Sequence, residues 1–159
     1  MKNKPFDLLI LDVDGIMTSG HKFYNNDSEV VIKTYSDLDF TAIKRFKLKG
    51  FDVCFLSGDS VINESMAKKR KVDFYKSKTW VDGSDKEDFI DFFCEKYNTT
   101  PERMAYVGDD WYDTGIMKKI GFPYCPKNSP RCVKKISHVL DVDSGCAVVA
   151  SLYDLICED

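Results

Sequence analysis

The sequence predicts an α/β fold: a doubly wound parallel sheet with helices on both faces. The prediction follows from the alternation of short apolar runs with helical patterns and from the turn residues between them. The 159 residues suit one compact domain, so we expect a single domain over 1–159. The strand-like runs are FDLLIL (6–11), FDVCFL (51–56), VDFY (72–75) and MAYVG (104–108), with weaker ones at FPYC (122–125) and HVL (138–140).

Helix starts are marked between these runs. SDLD (36–39) resembles a capping box, and its helix should end before Gly50. Ser84 with Glu87 is a clearer box, and Pro101 suits the first position of a further helix. The side chains expected to face the core after Ser84 are Phe89, Ile90, Phe92, Phe93 and Tyr97.

One segment interrupts the alternation directly after the first strand. HKFYNNDSEVVIKTY (21–35) contains two short strand-like pieces around the turn residues Asn25, Asn26 and Asp27. This pattern predicts a β-hairpin. Because the hairpin follows the first strand at once, it should overhang that strand's carboxyl end.

Composition excludes several functional classes. The net charge is -3 and basic residues are scattered, so we expect no nucleic-acid partner and no anionic membrane partner. The basic run 68–71 is interpreted as a solvated helix end. Six cysteines without a C-x-x-C pair and two histidines argue against zinc, and Cys54 and Cys94 fit the core.

The sequence also predicts a location in the cell. The apolar part of MKNKPFDLLIL (1–11) is too short for a signal peptide. No window approaches the length of about 18 apolar residues that a membrane span needs. We therefore expect a reduced, cytoplasmic protein.

Acidic and hydroxyl side chains follow three of the predicted strands. In a parallel sheet these strand ends lie at one edge, where ligands bind. Two carboxylates about 4 Å apart repel by about 4 kcal/mol at an effective dielectric constant of about 20, so the cluster predicts a cation. Oxygen ligands without histidine or cysteine select Mg²⁺. The residues are Asp12 and Asp14 after the first strand, Ser57, Gly58 and Asp59 after the second, and Asp109, Asp110 and Asp113 after MAYVG.

These groups suit phosphoryl transfer. A metal-bound aspartate can attack phosphorus and form an acyl phosphate, while its neighbour two residues away exchanges protons. Ser57 and the amides of Gly58 and Asp59 can bind a phosphate oxygen. A lysine should supply further positive charge, and Lys86 in a first helical turn is preferred to Lys76 or Lys78.

Four motifs occur in a familiar order: DVDG followed by Thr18, SGDS, Lys86 and GDDWYD. This order resembles the signature of the haloacid dehalogenase superfamily of phosphatases and covers nearly the whole chain. The hairpin after DVDGIMTSG and the segment AYVGDDWYDTGIM are most similar to the capless 3-deoxy-octulosonate 8-phosphate phosphatase subfamily. That subfamily includes phosphatases of nine-carbon 2-keto sugar acids.

The resemblance implies a Rossmann-like fold without a cap domain and a set of roles. The substrate would be a small phosphorylated sugar or sugar acid, hydrolysed through an aspartyl phosphate. The protein would be a homotetramer in which the hairpins build a central barrel. The resemblance implies that Asp12 is the nucleophile and a Mg²⁺ ligand, and that Asp14 is the general acid/base, binds substrate and offers its backbone carbonyl to the metal. Asp109 would be the third metal ligand, with Asp110 and Asp113 as supporting carboxylates. Ser57 and Gly58 would bind phosphate, and Lys86 would be a catalytic residue that holds nucleophile and phosphate together.

Three segments depart from the subfamily pattern. Asp59 stands where an arginine is usual, and YSDLDF (35–40) replaces a usual Arg-Asp-Gly. Near the C-terminus the subfamily usually has a glycine- and arginine-rich segment, of which this chain keeps only residues 144–147. Each change removes a plausible carboxylate anchor, so the sequence leaves the sugar open.

Two other functions compete with the phosphatase. A receiver-like phosphoacceptor domain is also doubly wound and uses aspartates, Mg²⁺ and a lysine, but its lysine comes late in the chain. A scaffold of the same fold that has lost catalysis is the second alternative. The retained Asp12, Asp14, Lys86 and Asp109 argue against that scaffold.

Overall fold

A computed structural model describes residues 4–59, 61–77 and 85–157. Its main sheet has six strands, all paired in parallel, which confirms the predicted fold class. The strands in chain order are β1 (Leu8–Leu11), β2 (Phe23–Tyr24), β3 (Val30–Ile32), β4 (Asp52–Ser57), β5 (Asp73–Lys76), β6 (Met104–Val107), β7 (Phe122–Pro126) and β8 (His138–Leu140).

The spatial order of the main sheet is β5-β4-β1-β6-β7-β8. Counted without the hairpin strands, this is the Rossmann order 3-2-1-4-5-6. The chain reverses direction across the sheet between β1 and β6. In such sheets ligands bind outside the carboxyl ends of the strands at this switch point.

Helices cover both faces of the sheet. They are α1 (Asp37–Leu48), α2 (Val61–Arg70), α3 (Ile90–Tyr97), α4 (Thr114–Met117), α5 (Arg131–Lys134) and α6 (Val148–Ile156), with 3₁₀ turns at Lys86–Phe89, Pro101–Arg103 and Trp111–Asp113. Strand β1 alternates between two apolar clusters, since Leu9 and Leu11 belong to one and Leu8 and Ile10 to the other. The first cluster includes residues of α1, α2 and α6, and the second residues of α3, α4 and α5.

The start of α1 differs in part from the expected capping box. Ser36 is the N-cap, and its hydroxyl oxygen accepts a hydrogen bond from the Leu38 amide. Asp39 does not complete the box: its buried carboxylate accepts hydrogen bonds from the amides of Val149 (2.8 Å) and Ala150 (3.0 Å). The prediction that Asp39 completes the box was wrong. Because α1 packs against α6, amides in the first turn of α6 bind the Asp39 carboxylate instead.

The next two helix starts also differ from expectation. Ser84 lies outside the described residues, and the observed box joins Asp85 and Asp88. Pro101 opens a 3₁₀ turn of three residues rather than a helix.

The aromatic face of α3 lies in the core except at one position. Phe93 is fully buried, whereas Phe92 is 45% exposed, so the expectation of a core Phe92 was wrong. Phe92 lies on the flank of the helix, where its ring packs edge-on against Tyr75 at 5.4 Å.

The predicted hairpin is present. Strands β2 and β3 pair antiparallel, and the side chain of Asn25 accepts from the amides of Asp27 and Glu29 in the turn. The outer surface of the hairpin is apolar and exposed, with Phe23 at 60% and Ile32 at 53%. Among the described residues, nothing larger than this hairpin is inserted between β1 and α1.

The described residues contain neither a membrane-spanning helix nor a disulfide bond. None of their helices has the length and apolar character to cross a lipid bilayer. No disulfide joins any of their cysteines, and Cys54 is buried as expected while Cys94 is partly buried.

Replacing Asp39 with alanine should destabilise the protein. The change leaves two amides at the start of α6 without their acceptor, and lost buried hydrogen bonds of this kind cost about 1–3 kcal/mol. Urea denaturation monitored by circular dichroism measures the difference. Asp37→Ala is the matched control on the same helix, since the Asp37 side chain is 93% exposed and should matter little. Equal stabilities of the two variants would contradict the capping role of Asp39.

Candidate active site

The predicted site residues meet at the carboxyl edge of the sheet. Strands β4, β1 and β6 are neighbours, so the loops after them surround one cavity of about 370 Å³ at the switch point. The predicted residues that line this cavity are Asp12, Asp14, Ser57, Gly58, Lys86, Asp109 and Asp110. Asp113 lies directly behind them and is fully buried.

Lys86 is the cation of this cluster. Its buried ammonium donates to Asp12 Oδ2 (2.7 Å), Asp113 Oδ1 (2.6 Å) and Tyr106 Oη (2.9 Å). Burial alone would lower the pKa of Lys86, but the charges of Asp113 and Asp12 raise it above its ordinary value. Lys86 therefore stays charged. Of the two competing lysines, Lys76 is exposed at the end of β5 and Lys78 lies outside the described residues.

A third carboxylate, that of Asp109, lies close to the two that contact this ammonium. Oxygens of Asp12, Asp109 and Asp113 lie within 4.8 Å of one another. Burial raises the pKa of Asp12 to about 7, opposed by Lys86 and assisted by Asp113. Burial, Asp12 and Asp113 raise the pKa of Asp109 to about 8. The negative charge exceeds what Lys86 balances, so a divalent cation fits this group.

Asp109 has free capacity for such a cation. Its Oδ1 is buried without a hydrogen-bond donor. Asp113, in contrast, accepts from Lys86 and Tyr106 on one oxygen and from the amides of Asp109 (2.8 Å) and Asp110 (2.9 Å) on the other. Asp12 and Asp109 are therefore the carboxylates best placed to bind a metal, and Asp113 orients the loop and the lysine.

Gly15 makes room for Asp109. Its φ is +85°, in the left-handed region, and a Cβ at this position would lie 2.0 Å from the Asp109 carboxylate. This explains why a glycine follows the acid pair.

The carboxylate of Asp14 lies outside the cluster around Lys86. Lys33 of the hairpin lies 2.8 Å from its Oδ1 and donates to its Oδ2 at 3.0 Å. Lys22 lies 3.6 Å from Oδ2, and Asn63 donates to the same oxygen at 3.1 Å. The acids separated by Val13 thus face different partners.

Ser57 and Asp59 join the side of the site that holds Asp14. Asn63 donates to Ser57 Oγ (3.2 Å), and Ser57 is buried. Asp59, which replaces a usual arginine, accepts from Lys33 (2.7 Å) and Lys22 (3.1 Å). Burial acts to raise the pKa of Asp59, yet the contacts with Lys33 and Lys22 lower it below its ordinary value. The hairpin lysines therefore neutralise the reversed charge.

Asp110 has a local structural contact. Its Oδ1 accepts from the Trp111 amide at 2.6 Å, and it is the N-cap of the 3₁₀ turn Trp111–Asp113. Asp113 completes that capping box, so the segment DDWYD forms the turn that places Asp109 at the site.

Sequence reasoning missed Lys22, Lys33, Asn63 and Tyr106. The hairpin was expected over the site, but 23 basic residues offered no signal for which of them reach it. Asn63 lies six residues after Ser57, before the basic run 68–71 that is interpreted as a helix end, and belongs to no motif of its own. Tyr106 was assigned only to a buried strand.

Comparison with known proteins finds similar phosphatases over nearly the whole chain. No family model matches the chain. The 3-deoxy-D-manno-octulosonate 8-phosphate phosphatase KdsC of Salmonella typhi is 27% identical over 152 residues, covering 94% of this chain and 78% of that protein. KdsC of Haemophilus influenzae is 29% identical over 150 residues, covering 93% and 81%. Over nearly its whole length the chain is similar to phosphatases of the haloacid dehalogenase superfamily.

Solved structures show the same similarity. The cobalt-bound phosphatase YrbI of Haemophilus influenzae matches with a TM-score of 0.87 and 28% identity, over 96% of this chain and 87% of that one. The octulosonate phosphatase of Moraxella catarrhalis, solved with magnesium, phosphate and KDO, has a TM-score of 0.85 at 22% identity, over 96% and 86%. The second match shows the shared haloacid dehalogenase fold.

Without metal, this phosphatase should lose stability as the pH rises. The pKa of Asp109 is about 8 in the folded protein against an ordinary 3.8, so the folded state holds this proton more tightly than the unfolded chain does. The Asp109 contribution is complete below the ordinary value and is lost as the pH rises toward about 8. Urea denaturation in EDTA across this range should show a smaller decrease for Asp109→Asn.

Asp143→Asn is the control for this measurement because Asp143 is an exposed acid outside the cluster. It should follow the wild-type pH dependence. The same decrease in wild type and in Asp109→Asn would contradict the buried, charge-crowded environment of Asp109.

Proposed function

We propose that the protein is a Mg²⁺-dependent phosphomonoesterase acting on a small phosphorylated sugar or 2-keto-3-deoxy sugar acid through an aspartyl phosphate. The observation that carries this proposal is the buried contact between Lys86 and Asp12 beside the unpartnered oxygen of Asp109. This arrangement holds a nucleophile, a fixed positive charge and a free metal-ligand oxygen in one cavity.

The donor set fits a hard cation. Asp12 and Asp109 would bind Mg²⁺ with their carboxylates, and Asp14 would bind it with its backbone carbonyl, as the resemblance implies. Oxygen ligands of this kind suit Mg²⁺. The relative from Haemophilus influenzae that is 28% identical was solved with the divalent cation cobalt. When bound, Mg²⁺ would offset negative charge on the acids and on the phosphoryl group.

The residues of the chain divide the reaction into two steps. A carboxylate oxygen of Asp12 attacks phosphorus, and the bond between phosphorus and the sugar oxygen breaks while Asp14 gives that oxygen a proton. Water then attacks the phosphorus of the aspartyl phosphate while Asp14 takes a proton from the water. The bond between phosphorus and the Asp12 oxygen breaks, which restores the Asp12 carboxylate and releases inorganic phosphate. Lys86 and Ser57, with the Gly58 amide, hold phosphoryl oxygens through both steps.

The names of the relatives support a sugar acid as substrate, since KdsC enzymes act on 3-deoxy-D-manno-octulosonate 8-phosphate. An eight- or nine-carbon keto acid phosphate is therefore the proposed substrate class. Asp59 and its two hairpin lysines replace the usual arginine, so the anchor for the sugar end differs from the subfamily pattern.

We also propose a cytoplasmic homotetramer of single-domain chains, residues 1–159. Support for assembly comes from the exposed apolar surface of the hairpin, where Phe23 and Ile32 are cross-strand partners. A barrel built from four hairpins would bury this surface.

The receiver-like alternative is disfavoured by topology. Receiver domains have the strand order 2-1-3-4-5, whereas this sheet has the order 3-2-1-4-5-6 when the hairpin strands are left out. The scaffold alternative is disfavoured by the buried ion pairs around Lys86, which are costly to keep without a use.

Purified protein with Mg²⁺ should release phosphate from para-nitrophenyl phosphate, and EDTA should abolish the release. Asp12→Asn should lower kcat by about a thousandfold or more because the nucleophile is lost. Asp91→Asn, an exposed acid on α3, is the matched control and should keep full activity. A malachite green assay over a panel of sugar phosphates, including eight- and nine-carbon keto acids, then ranks the substrates.

Two results would decide against this function. Wild type that releases no phosphate from any member of the panel would favour the scaffold. A long-lived phosphoprotein formed from a small phosphodonor, without turnover, would favour the receiver.

The double variant Phe23→Ser and Ile32→Ser should be monomeric, because it removes the apolar contact proposed between hairpins. Size-exclusion chromatography with light scattering measures the mass. Leu48→Ser, at a 77% exposed position of α1, is the control and should leave the tetramer intact. A wild-type monomer, or a tetrameric double variant, would contradict the assembly.

A further inference from the structure

The side chain of Lys33 points from the hairpin into the site. Lys33 follows β3, whose Val31 and Ile32 are exposed, yet its own side chain has no exposed surface. Its ammonium lies at hydrogen-bond distance from Asp14 (2.8 Å and 3.0 Å), Asp59 (2.7 Å) and Asn63 (2.9 Å). An ammonium has three donors, so groups of the chain itself use all of them.

Asn63 makes the matching contacts from α2. Its amide nitrogen is near Asp14 Oδ2 (3.1 Å), Ser57 Oγ (3.2 Å) and the Asp59 carbonyl (3.2 Å). Its amide oxygen accepts from Lys33 and from Tyr35 Oη at 3.2 Å. Asn63 is fully buried, and it links the acid after β1 to the hydroxyl at the end of β4.

Asp14 needs such support because its side chain is 21% exposed and sits on a turn. A general acid must lie within hydrogen-bond reach of the ester oxygen, and small displacements reduce the rate strongly. The Lys33 ammonium and the Asn63 amide reach the carboxylate from the hairpin and from α2, and together they restrict it far more than a single contact would.

We propose that Lys33 and Asn63 are positioning residues that hold the Asp14 carboxylate for proton transfer, so that placement of the hairpin sets the geometry of the acid. The inference rests on the proposed phosphatase function. In the first step Asp14 gives its proton to the sugar oxygen as the bond between phosphorus and that oxygen breaks, and it becomes a carboxylate. In the second step it regains a proton from water. Lys33 neither gains nor loses a proton.

Leaving-group dependence separates this role from a general structural one. Phenyl phosphate and para-nitrophenyl phosphate have similar size, but phenolate is the poorer leaving group and depends more on a proton from the acid. The ratio kcat/KM reports the steps up to release of that group. A misplaced acid therefore slows phenyl phosphate more.

Lys33→Met should lower kcat/KM for phenyl phosphate about tenfold more than for para-nitrophenyl phosphate. Asn63→Leu should act in the same direction, and Lys33→Arg should recover part of the loss. In an Asp14→Asn background, Lys33→Met should cause no additional loss, because its effect passes through Asp14. Lys44→Met, an exposed lysine on α1, is the control for loss of charge and should retain wild-type kinetics.

Thermal unfolding identifies any variant that fails to fold. If Lys33→Met fails to fold, the kinetics of Asn63→Leu and Lys33→Arg are compared with wild type instead. Equal losses for the two aryl phosphates would overturn the positioning role. A raised KM confined to sugar acids would also overturn it, since Lys33 would then be a substrate anchor. Wild type without phosphatase activity would overturn the proposed function and this inference together, whereas an active wild type with equal losses overturns the inference alone.

Discussion

The buried ammonium of Lys86 is the interaction on which the acidic end of the sheet depends. It joins Asp12, after β1, to Asp113, after β6, and it reaches both from the 3₁₀ turn before α3. Three segments far apart in the chain are therefore tied by one charge. A buried pair that loses one partner is strongly destabilised, so each of these residues needs the others.

The acids of the site form two groups with different electrostatics. Around Lys86, three carboxylates share one cation and retain an excess of negative charge, which favours a metal. Around Asp14, two carboxylates share the ammonium groups of Lys22 and Lys33 and are balanced within the chain. One valine between Asp12 and Asp14 separates a group suited to metal and nucleophile from a group suited to proton transfer.

The hairpin takes part in both assembly and chemistry in the functions proposed above. Its outer surface carries apolar side chains, and its inner side carries the two lysines that contact Asp14 and Asp59. These lysines neutralise the negative charge that Asp59 brings to the site. The hairpin is thus the element that compensates for the departure from the subfamily pattern.

The sequence by itself determined the strands of the sheet, helices α1 and α3, the hairpin and the loops that carry Asp12, Ser57, Lys86 and Asp109, because strand periodicity and strand-end position are local properties. Side-chain partners were decided by tertiary structure. Asp39 caps α6 rather than its own helix, and Phe92 lies at the surface, because the packing of the helices determines which groups surround these side chains. Lys33 and Asn63 likewise reach Asp14 only in the folded chain, across 19 and 49 positions, a separation over which composition and spacing carry no signal.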